Sequence, residues 1–403
     1  MKHSATPLPL DDALRIVDQT FEGGEFPRRR IAVRDAVGEI LASDQVSRLS
    51  LPPFDKAAMD GYAVPAGDVR DRYEVLGTVL AGNPAAAPLR PGTAVKVMTG
   101  APIPAGAGRV IPVEHVRDQA GTIEVLRPTS ARHICLQGED VRLGDVVLPA
   151  GSRLGPLEVA NLISCAVTDV EVFRPIRLAV LSTGDEIVDD PQDLGPGKIM
   201  NCNGPMLALL GRQHSMDVVV ERSIPDDRAA TIEAISAAID RADLVVLSGG
   251  VSVGDCDYVG PALAAAGLTV HFSAVAVKPG RPLTFASRPG AAAFGLPGNP
   301  VSVYVMFHLF VLRAAARMRA CPWTMREFSL PLRCEFRRRS GERFEFVPCR
   351  IDDDGMLVPV EFHGSAHLTA LMEADGLLLV PLGTTTLPAG QRVRFVALAK
   401  GRP

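Results

Sequence analysis

Apolar and polar positions follow different periods in successive parts of this chain. Residues 10–25 read as a helix, amphipathic over 11–21. Between about 47 and 148, short β-type runs such as 72–79 and 94–97 are interrupted by glycine and proline turns, which predicts a small β-rich insertion. From Arg177 the pattern becomes apolar runs alternating with helical stretches. Residues 177–181, 217–221, 244–247, 269–277 and 292–296 read as strands, and 206–213, 226–241, 258–266 and 301–318 as helices. That alternation predicts a parallel sheet. After Pro322 the runs 330–336, 343–350, 377–381 and 391–397 have strand length with turns between them, in the style of a small β-barrel.

Several of the predicted strands of the α/β region end in loops rich in glycine and polar residues. The 244–247 run breaks into Ser248-Gly249-Gly250 and then into Asp255 and Asp257; the 177–181 run ends in Ser182-Thr183-Gly184-Asp185-Glu186; the 292–296 run ends in Pro297-Gly298-Asn299-Pro300. Glycines let the backbone turn sharply and expose amide groups that suit phosphate, and the carboxylates suit an oxygen-loving divalent cation. Ligands of open α/β sheets bind outside the carboxyl ends of the strands, so these loops nominate one site. Lys278-Pro-Gly-Arg281-Pro282 follows the 269–277 run and adds two cations. Mixed charge of this kind can hold a phosphate ester together with its metal. Plainer roles remain open at this level: a glycine turn capping the next helix for 248–250, ordinary surface ion pairing for Lys278 and Arg281, helix capping for Asp226-Asp227, and turn fixing for Asn299.

These residues carry a family resemblance. Ser248-Gly-Gly-Val-Ser-Val-Gly-Asp-Cys-Asp-Tyr258, Lys278-Pro-Gly-Arg-Pro282 and Gly295-Leu-Pro-Gly-Asn-Pro-Val-Ser302 resemble the molybdopterin molybdenumtransferases, the MoeA and gephyrin E-domain family. Leu51-Pro-Pro-Phe-Asp-Lys-Ala-Ala-Met-Asp-Gly-Tyr-Ala63 and Lys96-Val-Met-Thr-Gly-Ala-Pro-Ile-Pro104 resemble the family's signatures nearer the N-terminus, with Gly138-Glu-Asp140 and Gly364-Ser365 as weaker elements. The likeness runs from about residue 10 to the C-terminus. It implies a multidomain α/β plus β protein: an elongated helix-and-strand domain from 1–46 and 149–176, a β-rich insertion at 47–148, a central α/β molybdopterin-binding-like parallel-sheet domain at 177–321, and a C-terminal β-barrel at 322–403.

The activity that the resemblance implies is the last step of molybdenum cofactor synthesis. Molybdate is inserted into an adenylylated dithiolene pterin, and AMP is released with help from a divalent metal, magnesium being expected. Asp60, Glu186, Asp257 and Lys278 are then the catalytic residues, and Glu186, Asp255 and Asp257 the metal ligands. Thr99, Asp140, Thr183, Gly184, Asp226, Ser248, Gly249, Gly250, Arg281, Pro297, Gly298, Asn299 and Ser365 would contact substrate, with Arg343 a weaker candidate. Asp60 and Thr99 would act across a subunit boundary of a homodimer. Other proteins of cofactor synthesis, or acceptors of the cofactor, are possible partners.

The chain departs from the family pattern near the site. His133 and Cys135 stand where Asn and Arg are expected, Asn201 and Cys202 where Asp-Ser is favoured, and Arg281 where Lys is commoner. Arg132 is placed to replace part of the lost charge. Such changes define the alternative, a non-catalytic or altered-specificity paralogue that carries pterin, scaffolds, or uses tungstate.

Composition narrows the remaining classes. At 403 residues the chain exceeds one ordinary core, and a 47% hydrophobic content supports several. A net charge of −4 gives no electrostatic case for nucleic acid or an anionic membrane surface. No run of eighteen apolar residues and no signal-peptide core are present, so a cytoplasmic protein is expected. The seven cysteines are dispersed without metal-ligand spacing, which argues for reduced thiols and against structural zinc.

Overall fold

A computed structural model describes residues 6–83, 88–250, 259–323 and 325–398. Its backbone contacts define two units, Arg29–Val172 and a larger one made of Met1–Arg28 with Phe173–Pro403. Asp255 and Asp257, together with Cys256 between them, lie outside the described residues.

In the smaller unit a mixed sheet runs in the order Ala107–Pro112, Gly61–Pro65, Thr93–Val97, Arg72–Val79, Thr122–Val125, Val116–Gln119. Gly61–Pro65 is buried along its whole length because both faces are covered: Ala63, Val95, Val97 and Val110 pack on one side, and Tyr62, Val64, Ala94 and Ile111 on the other. Gly61 is required there, since a Cβ would lie 2.4 Å from the Ile111 carbonyl oxygen. Beside this sheet, Arg28–Ala32 pairs with Asp169–Phe173, and Gln45–Val46 with Val146–Leu148, around a separate core that includes Leu41, Leu154 and Leu162. Residues 28–46 thus pair with the segment near 150–173. The helix Leu10–Thr20 instead packs in the larger unit, where Arg313 and Arg317 bracket Asp18 at 2.6 Å and 2.8 Å.

The larger unit is built on a six-stranded sheet in the order Asp217–Ile224, Arg177–Thr183, Leu244–Ser248, Ala291–Leu296, Pro282–Arg288, Thr269–Ala274. Its first four strands are parallel, as the strand-helix alternation predicts. The expectation of a wholly parallel sheet needs one correction: Pro282–Arg288 runs against its neighbours on both sides. Only Pro289-Gly290 separates it from Ala291–Leu296, and two residues can join antiparallel strands but not parallel ones. Because this strand reverses, Thr269–Ala274 points the same way as the parallel four. Loops 183–186, 248–250, 278–282 and 297–300 therefore share one end of the sheet.

Leu244–Ser248 and Ala291–Leu296 are buried throughout, which matches their unbroken apolar character. At the opposite end of the sheet, buried Asp243 accepts from Arg174 at 2.7 Å and from Arg177 at 2.8 Å. Burial pushes its carboxyl up, but hydrogen bonds and charge from the two arginines outweigh that and leave it below the usual range. A depressed folded pKa stabilises the fold above the unfolded value, near 4, and the contribution disappears as pH falls through the folded value. Asp243→Asn should cost about 3 kcal/mol at neutral pH, by leaving two partly buried guanidinia uncompensated. Urea unfolding at pH 7 and at pH 3 checks this. A variant as stable as wild type at pH 7 would sink it.

Helix Pro300–Met318, which includes a π-turn at Phe307–Val311, is long and apolar enough to cross a membrane by composition alone. With 72% of its apolar window buried against the sheet and the N-terminal helix, it is a core helix.

The C-terminal strands pair in the order Val277–Lys278, Phe344–Ile351, Gly376–Val380, Arg392–Ala397, Glu327–Pro331, with Leu357–Pro359 on the other side of Phe344–Ile351. An isolated parallel bridge joins Leu332, just after Glu327–Pro331, to Leu357. Leu332, Val347, Cys349, Leu378 and Phe395 pack together, so the C-terminal strands form a small β domain with its own core.

Candidate functional site

The carboxyl end of the sheet opens into a cavity of about 330 Å³, lined by Thr183, Glu186, Asp226, Ser248, Gly250 and Asn299 among others. Backbone conformation makes it possible. Gly249 and Gly250 have φ of +92° and +67°, and a Cβ on Gly249 would sit 2.4 Å from the Thr183 carbonyl oxygen. The first glycine loop thus lies against the Thr183 loop with no room for a side chain. Its amide also donates to the Leu296 carbonyl at 3.2 Å, which ties it to the start of the Pro297-Gly298-Asn299 turn.

Asn203, which the sequence reading did not nominate, joins the same loops. It is buried, and its amide nitrogen donates to Ser248 Oγ at 2.8 Å and to the Gly298 carbonyl at 2.7 Å. The signal available was an asparagine opening helix Asn203–Gln213 directly after a strand-end loop, but capping there falls to Asn201, whose Oδ1 accepts from the Gly204 amide at 3.0 Å. Asn201 also donates to Asp189 Oδ1 at 2.9 Å. An aspartate at that position would face Asp189 with like charge, so the departure from the family pattern has a local reason.

The cavity mouth is acidic. Asp227 caps helix Arg228–Ile239 by accepting from the Ala230 amide, which leaves Asp226 free of that task, half-buried on the cavity wall. The helix therefore begins two residues later than expected. Burial, then the charges of Asp185 and Glu186, push the Asp226 carboxyl above its ordinary value. Asp185 accepts from the Asp226 amide at 3.0 Å. Thr183 Oγ1 is buried beside Gly249 and Gly250, without a hydrogen-bond partner among the described residues.

A second cavity, of about 320 Å³, shares Pro282, Pro297 and Asn299 with the first and is lined by Lys278, Arg281, Ser302, Arg343 and Ser365. Here the cations gather. Asn299 donates to Ser365 Oγ at 2.8 Å, so its side chain links the turn to the C-terminal segment beyond any turn-fixing role. A third cleft, of about 710 Å³, shares Lys278 and Arg343 with the second and is walled by Arg337, Arg338 and Arg339.

Asp60 and Thr99 belong to the smaller unit. They flank the paired ends of Gly61–Pro65 and Thr93–Val97, where Thr99 donates to Asp60 Oδ1 through its hydroxyl at 2.7 Å and its amide at 2.8 Å. Those bonds hold the Asp60 carboxyl below its ordinary value. Asp140 is exposed, and its amide donates to the Leu51 carbonyl. His133 adopts a positive φ of 51°, a conformation in which Asn and His are both enriched, which accounts for the exchange between them. Cys135 pairs in register with Lys56.

The central sheet with its strand-end loops is of a class defined by residues 179–317, which match the profile described as a probable molybdopterin binding domain. Residues 8–166 match the MoeA N-terminal region (domain I and II), and residues 330–398 the MoeA C-terminal region (domain IV). A molybdopterin molybdenumtransferase of Staphylococcus aureus is 31% identical over 402 residues, covering 97% of this chain and 95% of its own. One of Nostoc is 34% identical over 382 residues, covering 90% and 87%. The solved molybdopterin biosynthesis moeA protein of Pyrococcus horikoshii superposes with a TM-score of 0.85 at 30% identity, over 98% of this chain and 100% of its own. The chain belongs to the MoeA family of molybdopterin molybdenumtransferases.

Proposed function

We propose that this enzyme inserts molybdate into an adenylylated dithiolene pterin and releases AMP, with magnesium as the assisting divalent cation. The observation that carries the reading is the shared wall of Pro282, Pro297 and Asn299, which sets an acidic, amide-rich cavity directly beside a cationic one. A phosphoanhydride and a tetrahedral oxyanion need these two environments side by side. In the first cavity the 248–250 loop would lie against phosphate, and the Thr183 hydroxyl, unpartnered among the described residues, would be available to it. In the second, Lys278, Arg281 and Arg343 with the Ser302 and Ser365 hydroxyls match a doubly charged oxyanion.

The donor set fits a divalent cation. Burial raises the Asp226 carboxyl and the charges of Asp185 and Glu186 add to that, so a cation there would relieve the repulsion among the three. When bound, it would neutralise charge that develops on the departing AMP. Among the described residues no group of three or more such side chains forms a ready metal site. Glu186 would hold the cation, and by the resemblance Asp255 and Asp257 would join it. No protein nucleophile is needed, because water can open the anhydride once both phosphates are neutralised.

The proposal extends to a cytoplasmic homodimer in which the Asp60–Thr99 pair of a second copy completes the site. The names of the relatives favour the enzyme over a carrier or scaffold. To test the reading, purified protein is given the adenylylated pterin, molybdate and magnesium, and AMP and bound molybdenum are counted together. Stoichiometric release of both is expected, with chelation of the metal or Asp226→Asn slowing it at least about tenfold. Tight substrate binding without AMP would overturn it.

A further inference from the structure

Lys278 is gripped by a carboxylate to which nothing above gives a role. Glu345 lies buried in strand Phe344–Ile351 with Oε1 2.6 Å from Lys278 Nζ. The main chains of Lys278 and Glu345 are paired in parallel register, so the contact is held from the backbone as well. The other oxygen of Glu345 accepts from Arg338 at 3.2 Å. Arg338 is itself buried and donates to the carbonyls of Thr384 at 2.6 Å, Pro381 at 2.6 Å and Arg343 at 2.8 Å. One oxygen of Glu345 is thus immobilised on an anchored guanidinium, and the other is aimed at Lys278.

A lysine whose side chain is 49% exposed would otherwise sample many rotamers on its four-carbon stem. We propose that Glu345 is a positioning residue: it holds the Lys278 ammonium at the junction of the cationic cavity and the arginine-walled cleft. The same guanidinium also fixes the Arg343 carbonyl, so one buried anchor sets both Lys278, through Glu345, and the backbone of Arg343. The inference rests on the proposed role of Lys278. The competing account gives Glu345 only the task of neutralising buried Arg338.

A double-mutant cycle separates the two. Glu345→Asp keeps a charge for Arg338 but shortens the arm toward Lys278, and Glu345→Gln keeps the length without the charge. Each is made alone and with Lys278→Ala, and three quantities are read: molybdate affinity by calorimetry, kcat and KM for AMP release, and the thermal midpoint. Positioning predicts about a tenfold loss of kcat, little change in the KM for pterin substrate, and molybdate binding weakened about fivefold in both single variants. In the Lys278→Ala background the same changes should add less than about twofold. Equal losses in both backgrounds, or losses that follow only a lowered thermal midpoint, would overturn the proposal. If wild type binds molybdate yet releases no AMP, the functional reading fails, while the cycle on molybdate affinity still decides the part played by Glu345.

Discussion

Lys278→Ala should slow single-turnover AMP release by about 100- to 1,000-fold, the range seen when one pre-oriented electrostatic group is removed from a transition state. Lys278 is the only residue of the 278–282 loop that lines both the cationic cavity and the arginine-walled cleft. Its loss does not strand a buried charge, because Glu345 remains paired with Arg338 at 3.2 Å. The fold should therefore survive, and the effect should fall on kcat. Lys278→Arg is expected to recover only part of the rate, since a planar fork cannot take the place of a compact ammonium on the same short path from Glu345. Arg281 lines the cationic cavity but not the arginine-walled cleft, so it does not occupy the same place. Rapid quench with counted AMP measures the step directly, and a Lys278→Ala rate within threefold of wild type would remove this residue from the mechanism.

Gly249→Ala carries the largest expected effect on structure. The position combines a left-handed φ of +92° with a built Cβ only 2.4 Å from the Thr183 carbonyl oxygen and 2.9 Å from its hydroxyl. Left-handed backbone costs an alanine about 1–2 kcal/mol. The clash with main chain must then be relieved by moving the 248–250 loop away from Thr183, although Asn203 and the Leu296 carbonyl tie that loop to the 297–299 turn. Destabilisation of about 3 kcal/mol or more is expected, together with loss of substrate binding. Gly290→Ala is the matched control, with φ of +83° and nothing within 4 Å of its Cβ. It should show the backbone cost alone, about 1–2 kcal/mol. Denaturant titrations of the two variants give the comparison, and equal losses would mean that the close approach of the loops is not what requires glycine.

Much of this site could be read from residues near one another in sequence. Unbroken apolar runs ending in Ser248-Gly249-Gly250 and Pro297-Gly298-Asn299 place both loops at strand ends, and the structure has them so. What escaped depended on tertiary context. Pro282–Arg288 opens with the proline that also ends the Lys278–Pro282 motif, so a strand was absorbed into a loop. Asp226-Asp227 reads equally as two caps or two ligands until the backbone gives the cap to Asp227. Asn203 and Glu345 look like ordinary polar residues of a helix and a strand, and their roles come from partners 95 and 67 positions away. The exchange of Asp for Asn at 201 reads as a lost charge from sequence alone, whereas its neighbour Asp189 makes an amide the better fit.

The reversed strand Pro282–Arg288 also divides the site by the order in which it can form. From Thr269 to Leu296 the chain makes a local meander, so the 278–282 and 297–300 loops come together through short-range pairings. The Thr183 and Ser248 loops meet only when strands about 66 residues apart align in parallel, as Ser182 does with Ser248. Closing such long loops is the slow part of assembling a sheet, while nearby contacts form early. The 278–282 and 297–300 loops are thus brought together by local chain geometry, whereas the glycine-lined acidic half, like Arg343 and Ser365 of the cationic half, depends on long-range pairing.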